Sequence, residues 1–433
     1  MVASTDIKFY VHTNTNAPQL QNTYGSLLEI LDACLLNGFG AQTITSLVVE
    51  GRQVTADFGQ AHNFLQYQVI KITGASQPEF NGEHRILTVP NAQSVTFELA
   101  AAPSTATVTG TITASLPPLG WEKPFSSSNL TGGGKAAYRS KNLLLPSRPF
   151  LRVIDERDVV WNASYAKYAK VGIVESMIDI DTMLGVQAPY DSNTPNKNWA
   201  GMGSGANAFN GWAKWYYARN NLDGSIDGGV TVGGADSAAP TNGIRAWTLI
   251  GSGDFFYLLV ATTPTSLPVL YGFGSFESYL EGDSSNNFLL ATLEYVAAGV
   301  NISPTSMKQS AVGTIVSNII VQRDYTQNES YALLGSTSLQ IRPGTSTITT
   351  GSNNYAPVST ALNKIVFAQV FLNENGLFRG KMPAINWLFQ KKPFNHLDCF
   401  NYQENCYLAL DLAVQNNTTY AVAGQVLFQL GVL

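Results

Sequence analysis

The chain has 433 residues, with 25 basic against 30 acidic side chains and a net charge of −5. Only 13% of its residues are charged, against about 25% in ordinary globular chains, while 45% are apolar and Gly (38), Phe (21) and Tyr (19) are abundant. This excludes a disordered chain and leaves no basic stripe for a nucleic acid: the only basic clusters are Lys391-Lys392 and the pair Lys167 and Lys170.

Low charge weakens self-repulsion, so a freely diffusing chain of this composition tends to associate, and a subunit covered by neighbours fits it better. The opening MVASTDIKFYVHT has neither the basic nor the apolar region of a signal peptide. The longest apolar run, FFYLLVA over 255–261, falls far short of the ~20 residues of a spanning helix, so no membrane partner is expected. Three cysteines, Cys34, Cys399 and Cys406, make no disulfide framework, and folding in a reducing cytosol is expected.

In chain order, DIKFYVHT (6–13) alternates in polarity and predicts a strand. SLLEILDACLLN (26–37) spaces Leu27, Leu28, Leu31, Cys34 and Leu35 as one helical face, with Gly38 as its stop and Cys34 as a small core residue. Six short strands follow between 42 and 115, separated by turn signals at Glu50-Gly51, Gly74-Ala75-Ser76, Asn81-Gly82 and Pro90-Asn91. LPPLG (116–120) predicts a linker, since two prolines stop helix formation.

Beyond it the pattern stays β-like, with strands predicted at 150–155, 171–180, 211–218, 245–253, 255–263, 364–372, 406–414 and 423–432. Long polar loops are predicted at 185–211, 221–243 and 342–358. The expected architecture is mainly β and multi-domain. It comprises an N-terminal strand-helix assembly element (1–41), a small antiparallel barrel or sandwich (42–115), the linker, and a larger β-rich domain with long loops (121–433).

No cofactor or metal is expected. His396, Cys399 and Cys406 have no second ligand pair at a zinc spacing, so they are ordinary side chains at strand ends. The glycines of GMGSGANAFNG lack the strand-to-helix context of a nucleophile elbow or dinucleotide loop, and Gly132-Gly133-Gly134-Lys135 is too short for a phosphate loop. Asp179 and Asp181, with Glu175 in the same parity, are read as one face of a strand, and Glu277, Glu281 and Asp283 as a second acidic group. A polysaccharide hydrolase would need two such carboxylates facing each other, and nothing in the sequence pairs them. Trp212, Trp215, Tyr216 and Tyr217 in GWAKWYYA are candidate interface or glycan-contacting aromatics, with burial in a core as the competing fate.

The block 61–99 carries His62, the Val69–Ile72 strand, Gly74-Ala75, Asn81-Gly82 and Thr96-Phe97 in an order that resembles a small β-domain of phage tail and fibre proteins; Leu65-Gln66-Tyr67 stands where that pattern has Val-Gly-Asp. GWEKPF (120–125), KAAYRS (135–140), FLRVID (150–155), ESMIDIDT (175–182), RAWTLIGSGDFFYLLV (245–260), FGSFESYLEGDSSN (273–286) and AGQVLFQLGVL (423–433) follow in an order similar to that of tailed-bacteriophage virion structural proteins. The resemblance implies a non-enzymatic structural subunit of the virion, in the tail, baseplate or neck/collar, assembling with itself and with other virion proteins after synthesis in the host cytoplasm. A receptor- or glycan-binding surface protein contacting a host receptor is the alternative, and a polysaccharide hydrolase the second.

Overall fold

A computed structural model describes residues 2–204, 208–219, 230–231, 236, 238–293, 308–309, 319–337, 365, 367–388, 392–415 and 420–433. The fold is mainly β, built from several antiparallel sheets with one short helix near the N-terminus. Loop 342–358 lies outside the described residues, as does most of 221–243.

The N-terminal strand is Lys8–Val11, and it pairs with Trp247–Gly251 as one edge of the larger sheet. The helix starts at Ser26 as an α-helix to Leu31, then widens into a π-helical turn over Asp32–Asn37. Gly38 ends it at φ +69, where its N–H reaches back to Ala33 O at 2.8 Å; glycine adopts this conformation without steric cost. Leu27, Ile30, Leu31, Cys34 and Leu35 are buried, and burial pushes the Cys34 thiol well above its usual range. The stretch 117–121 is bound to the helix end: Leu119 N–H donates to Cys34 O, and Gly120 and Trp121 N–H donate to Leu35 O.

Residues 39–116 form two four-stranded sheets. One contains Phe39–Thr43, Gly110–Leu116, Val69–Ala75 and Gly82–Arg85; the other contains Ser46–Glu50, Gln53–Asp57, Ser94–Glu98 and Thr88–Asn91. Two of the predicted strands are each two strands here, because the chain turns a corner from one sheet into the other at the buried Ile44 and Ile86. Strands that switch sheets close the corners of a sandwich. Asn81 makes its turn through its side chain, whose amide donates to Ala75 O and accepts from Ala75 N–H.

The rest of the described residues form an 8-stranded sheet, a 14-stranded sheet and a two-stranded ribbon of Gly201–Met202 with Phe209–Asn210. In Phe255–Ala261 the side chains alternate between two cores: Phe256, Leu258 and Val260 face one cluster, and Phe255, Tyr257 and Leu259 face the other. The uninterrupted apolar run therefore reports a strand buried on both faces. The first cluster also holds Leu151, Val153, Val171, Ile173 and Trp215 of the 8-stranded sheet, together with the helix and the small sandwich. The second lies where the 14-stranded sheet curls onto itself, bringing the Tyr257 and Phe428 rings to 5.2 Å. Burying apolar surface in both cores is the dominant favourable contribution to this fold.

The helix N-terminus is closed from a distance. Asp155, on the strand Phe150–Glu156, accepts from Gly25 N–H at 2.9 Å and from Tyr217 O–H at 2.6 Å, and is further hydrogen-bonded to the Leu27 and Leu28 backbone. A carboxylate there satisfies donors that the first helical turn leaves unpaired.

Candidate functional site

The candidate aromatics lie inside the chain. Trp215, Tyr216 and Tyr217 are 0% exposed and Trp212 is 7% exposed. Trp212 directly precedes the strand Ala213–Ala218, which carries the other three and is buried along its whole length. Trp215 stacks on Tyr271 at 5.8 Å and donates to Leu290 O, while Tyr217 donates to Asp155. No ring face is left open for a sugar or a neighbouring subunit.

The candidate acids do not form a pair. The strand Lys167–Met177 ends before Asp179, so Asp179 and Asp181 belong to the turn leading into Met183–Ala188 and do not share a strand face. Asp179 accepts from the Asp181 and Thr182 N–H groups and from the Thr182 hydroxyl, first of all the hydroxyl, and these bonds hold its carboxyl below the usual range. Glu175 pairs with Arg323 at 2.7 Å and Glu277 with Lys381 at 2.9 Å. Asp283 is buried against Arg379 at 2.8 Å. The predicted loop 185–211 begins as part of the strand Met183–Ala188, then carries Asn198 and Trp199 over the 8-stranded sheet.

Two features were not legible as sites. The first is the end of the hairpin formed by Phe367–Glu374 and Leu377–Leu388. Asn375 and Gly376, both at positive φ, make its two-residue turn, and Asn-Gly between apolar alternations was the available signal. Arg379 anchors the hairpin base through ion pairs to Asp283 and Glu374. Outside this anchor, Phe378 is 64% exposed, Leu377 60%, Tyr279 50% and Tyr325 42%. Tyr279 N–H bonds to Arg379 O and Tyr325 N–H to Glu374, which places both tyrosines at the same end.

The second is a polar cleft of about 310 Å³ on the face of the 8-stranded sheet turned away from the main core. Strand register aligns Lys135, Ile154 and Lys170 in one row, with Arg152 beside Gly172 in the next. Trp199 packs so closely over Gly172 that a Cβ there would lie 2.5 Å from its ring. The Arg152 guanidinium stacks on Trp199 at 4.6 Å; its Nε donates to Ile180 O at 2.8 Å and its Nη2 to Asp181 at 2.7 Å. Lys135 also pairs with Asp181, and Lys170 donates to Trp199 O at 2.7 Å and to Asp158 at 3.3 Å. Burial lowers the Lys170 ammonium below its usual range against the opposing pull of Asp158. The sequence signal was Arg152 in the middle of the apolar FLRVID, on the parity opposite to the core-facing Leu151 and Val153.

Among the described residues, no group of three His, Cys, Asp or Glu is arranged to hold a metal ion. No helix among them is long and apolar enough to cross a membrane. No family model matches the sequence, and no curated protein matches it. Among solved structures the chain is similar to the phage phi92 endosialidase at 9% identity and a TM-score of 0.15, over 92% of this chain and 52% of that one, so it spans about half of that protein's length.

Proposed function

We propose that this chain is a structural subunit of a tailed-bacteriophage virion, in the tail, baseplate or neck, acting through assembly with copies of itself and with other virion proteins and without catalysis. The observation that carries the assembly reading is the hairpin end, where Phe378, Leu377, Tyr279 and Tyr325 stand exposed on a base fixed by the buried Arg379 ion pairs. Aromatic anchors on a rigid support are what interface centres use, because little side-chain entropy remains to be lost on docking. The charge-poor composition supports the same reading. The order of motifs along the sequence supports the virion setting.

Light scattering coupled to size exclusion tests it with the wild type and Phe378→Ser. The wild type is expected at a multiple of 46.7 kDa. The variant is expected to shift toward monomer with an unchanged circular dichroism spectrum, since the ring is largely exposed. A wild type that stays monomeric at every concentration overturns self-assembly.

A further inference from the structure

We infer that the Arg152 cleft is a binding site for a neutral saccharide. Arg152 is 3% exposed, and its Nη1 has no hydrogen-bond partner among the described residues although its other two nitrogens are engaged. A buried donor without an acceptor is costly, and native folds rarely leave one unanswered. Arg152 lines a cleft that also holds an acceptor: Glu156, four residues along the same strand, takes Asn129 Nδ2 on Oε2, and its other oxygen has no partner among the described residues.

The cleft thus offers an unused donor on Arg152 and an unused acceptor on Glu156. A hydroxyl group accepts and donates at once, so the hydroxyls of a saccharide can answer both. The lining charges balance, with Lys135, Arg152 and Lys170 against Glu156, Asp158 and Asp181. A cleft without excess charge has no field to concentrate a polyanion, which disfavours phosphate or an acidic sugar. Ile154 and Met183 supply the apolar part of the lining for the C–H face of a pyranose. The volume is at the small end of ligand clefts and suits one or two sugar units. The site lies in a different sheet from the Phe378 hairpin, so it stands apart from the assembly reading.

Saturation-transfer NMR on the full chain tests the site. The probes are glucose, galactose, rhamnose, N-acetylglucosamine, N-acetylneuraminic acid and inorganic phosphate, each at millimolar concentration. Transfer to at least one neutral sugar is expected. Arg152→Lys keeps the charge but removes Nη1 and is expected to abolish it. Glu156→Gln is expected to weaken binding about tenfold, the effect of losing one charge-assisted hydrogen bond. Circular dichroism checks folding; should Arg152→Lys not fold, the partly exposed Glu156→Gln decides alone. No transfer to any neutral sugar, undiminished binding in the folded variants, or selective binding of N-acetylneuraminic acid or phosphate overturns the inference.

Discussion

Replacing Asp155 by Asn removes one titration from the interior and leaves the contacts in place. The amide oxygen can accept from the helix N–H groups that Asp155 now caps, and the amide NH2 can donate to the Tyr217 oxygen. In the wild type Asp155 is fully buried, and burial pushes its carboxyl up to about 6, against the lowering effect of Tyr217 and the helix N–H groups. The unfolded chain sheds this proton near pH ~4. Between the two values the folded state holds the extra proton, so stability falls as pH rises. The contribution is fully present below about pH 4 and is lost as pH rises through about 6. Two pH units correspond to about 3 kcal/mol, or about 3 °C in melting temperature for a cooperatively unfolding chain of this length. Burial lowers His12, His62, His84 and His396, which gives stability that is lost as pH falls through the histidine range. That trend is common to both proteins and cancels in their difference. Calorimetry at pH 4 to 7 should show the wild type losing about 2 kcal/mol of this relative to Asp155→Asn, since at pH 4 the unfolded carboxyl is already half ionised. Parallel curves for the two proteins would refute the assignment of a proton-holding carboxyl at the helix start.

Trp215→Ala should destabilise the chain by about 3–5 kcal/mol in denaturant unfolding, because it empties the centre of the main core and orphans Leu290 O. Gly133→Ala should cost on the order of 3 kcal/mol, since φ is +78 and the new methyl would meet Asp155 O at 2.0 Å, beside the capping carboxyl. Gly376→Ala at the hairpin tip should cost only about 1 kcal/mol, since φ is +88 but the space is open. A loss at Gly376 as large as that at Gly133 would contradict the steric argument.

The class of fold was readable from residues alone. Alternation, turn glycines and short apolar runs mark most strands, and the spacing of Leu27, Leu31 and Leu35 marks the helix. These signals are local, because a strand or a helical turn is decided within a few residues. The strands Glu122–Ser128, Gly133–Arg139, Pro268–Ser275 and Leu377–Leu388 carry no such mark, since glycine, serine and proline dilute the apolar pattern within them.

Which face each strand shows, and to what, was decided only in three dimensions. GWAKWYYA has the composition of an exposed aromatic platform, yet the 14-stranded sheet covers one of its faces. Asp179 and Asp181 have the spacing of a shared strand face, yet the strand ends two residues earlier and the chain turns. Arg152 acquires an unanswered donor only because Trp199, 47 positions later, folds over Gly172 and closes the cleft. Burial and electrostatic partnership depend on elements brought together from distant parts of the chain, and the local pattern of residues carries no record of them.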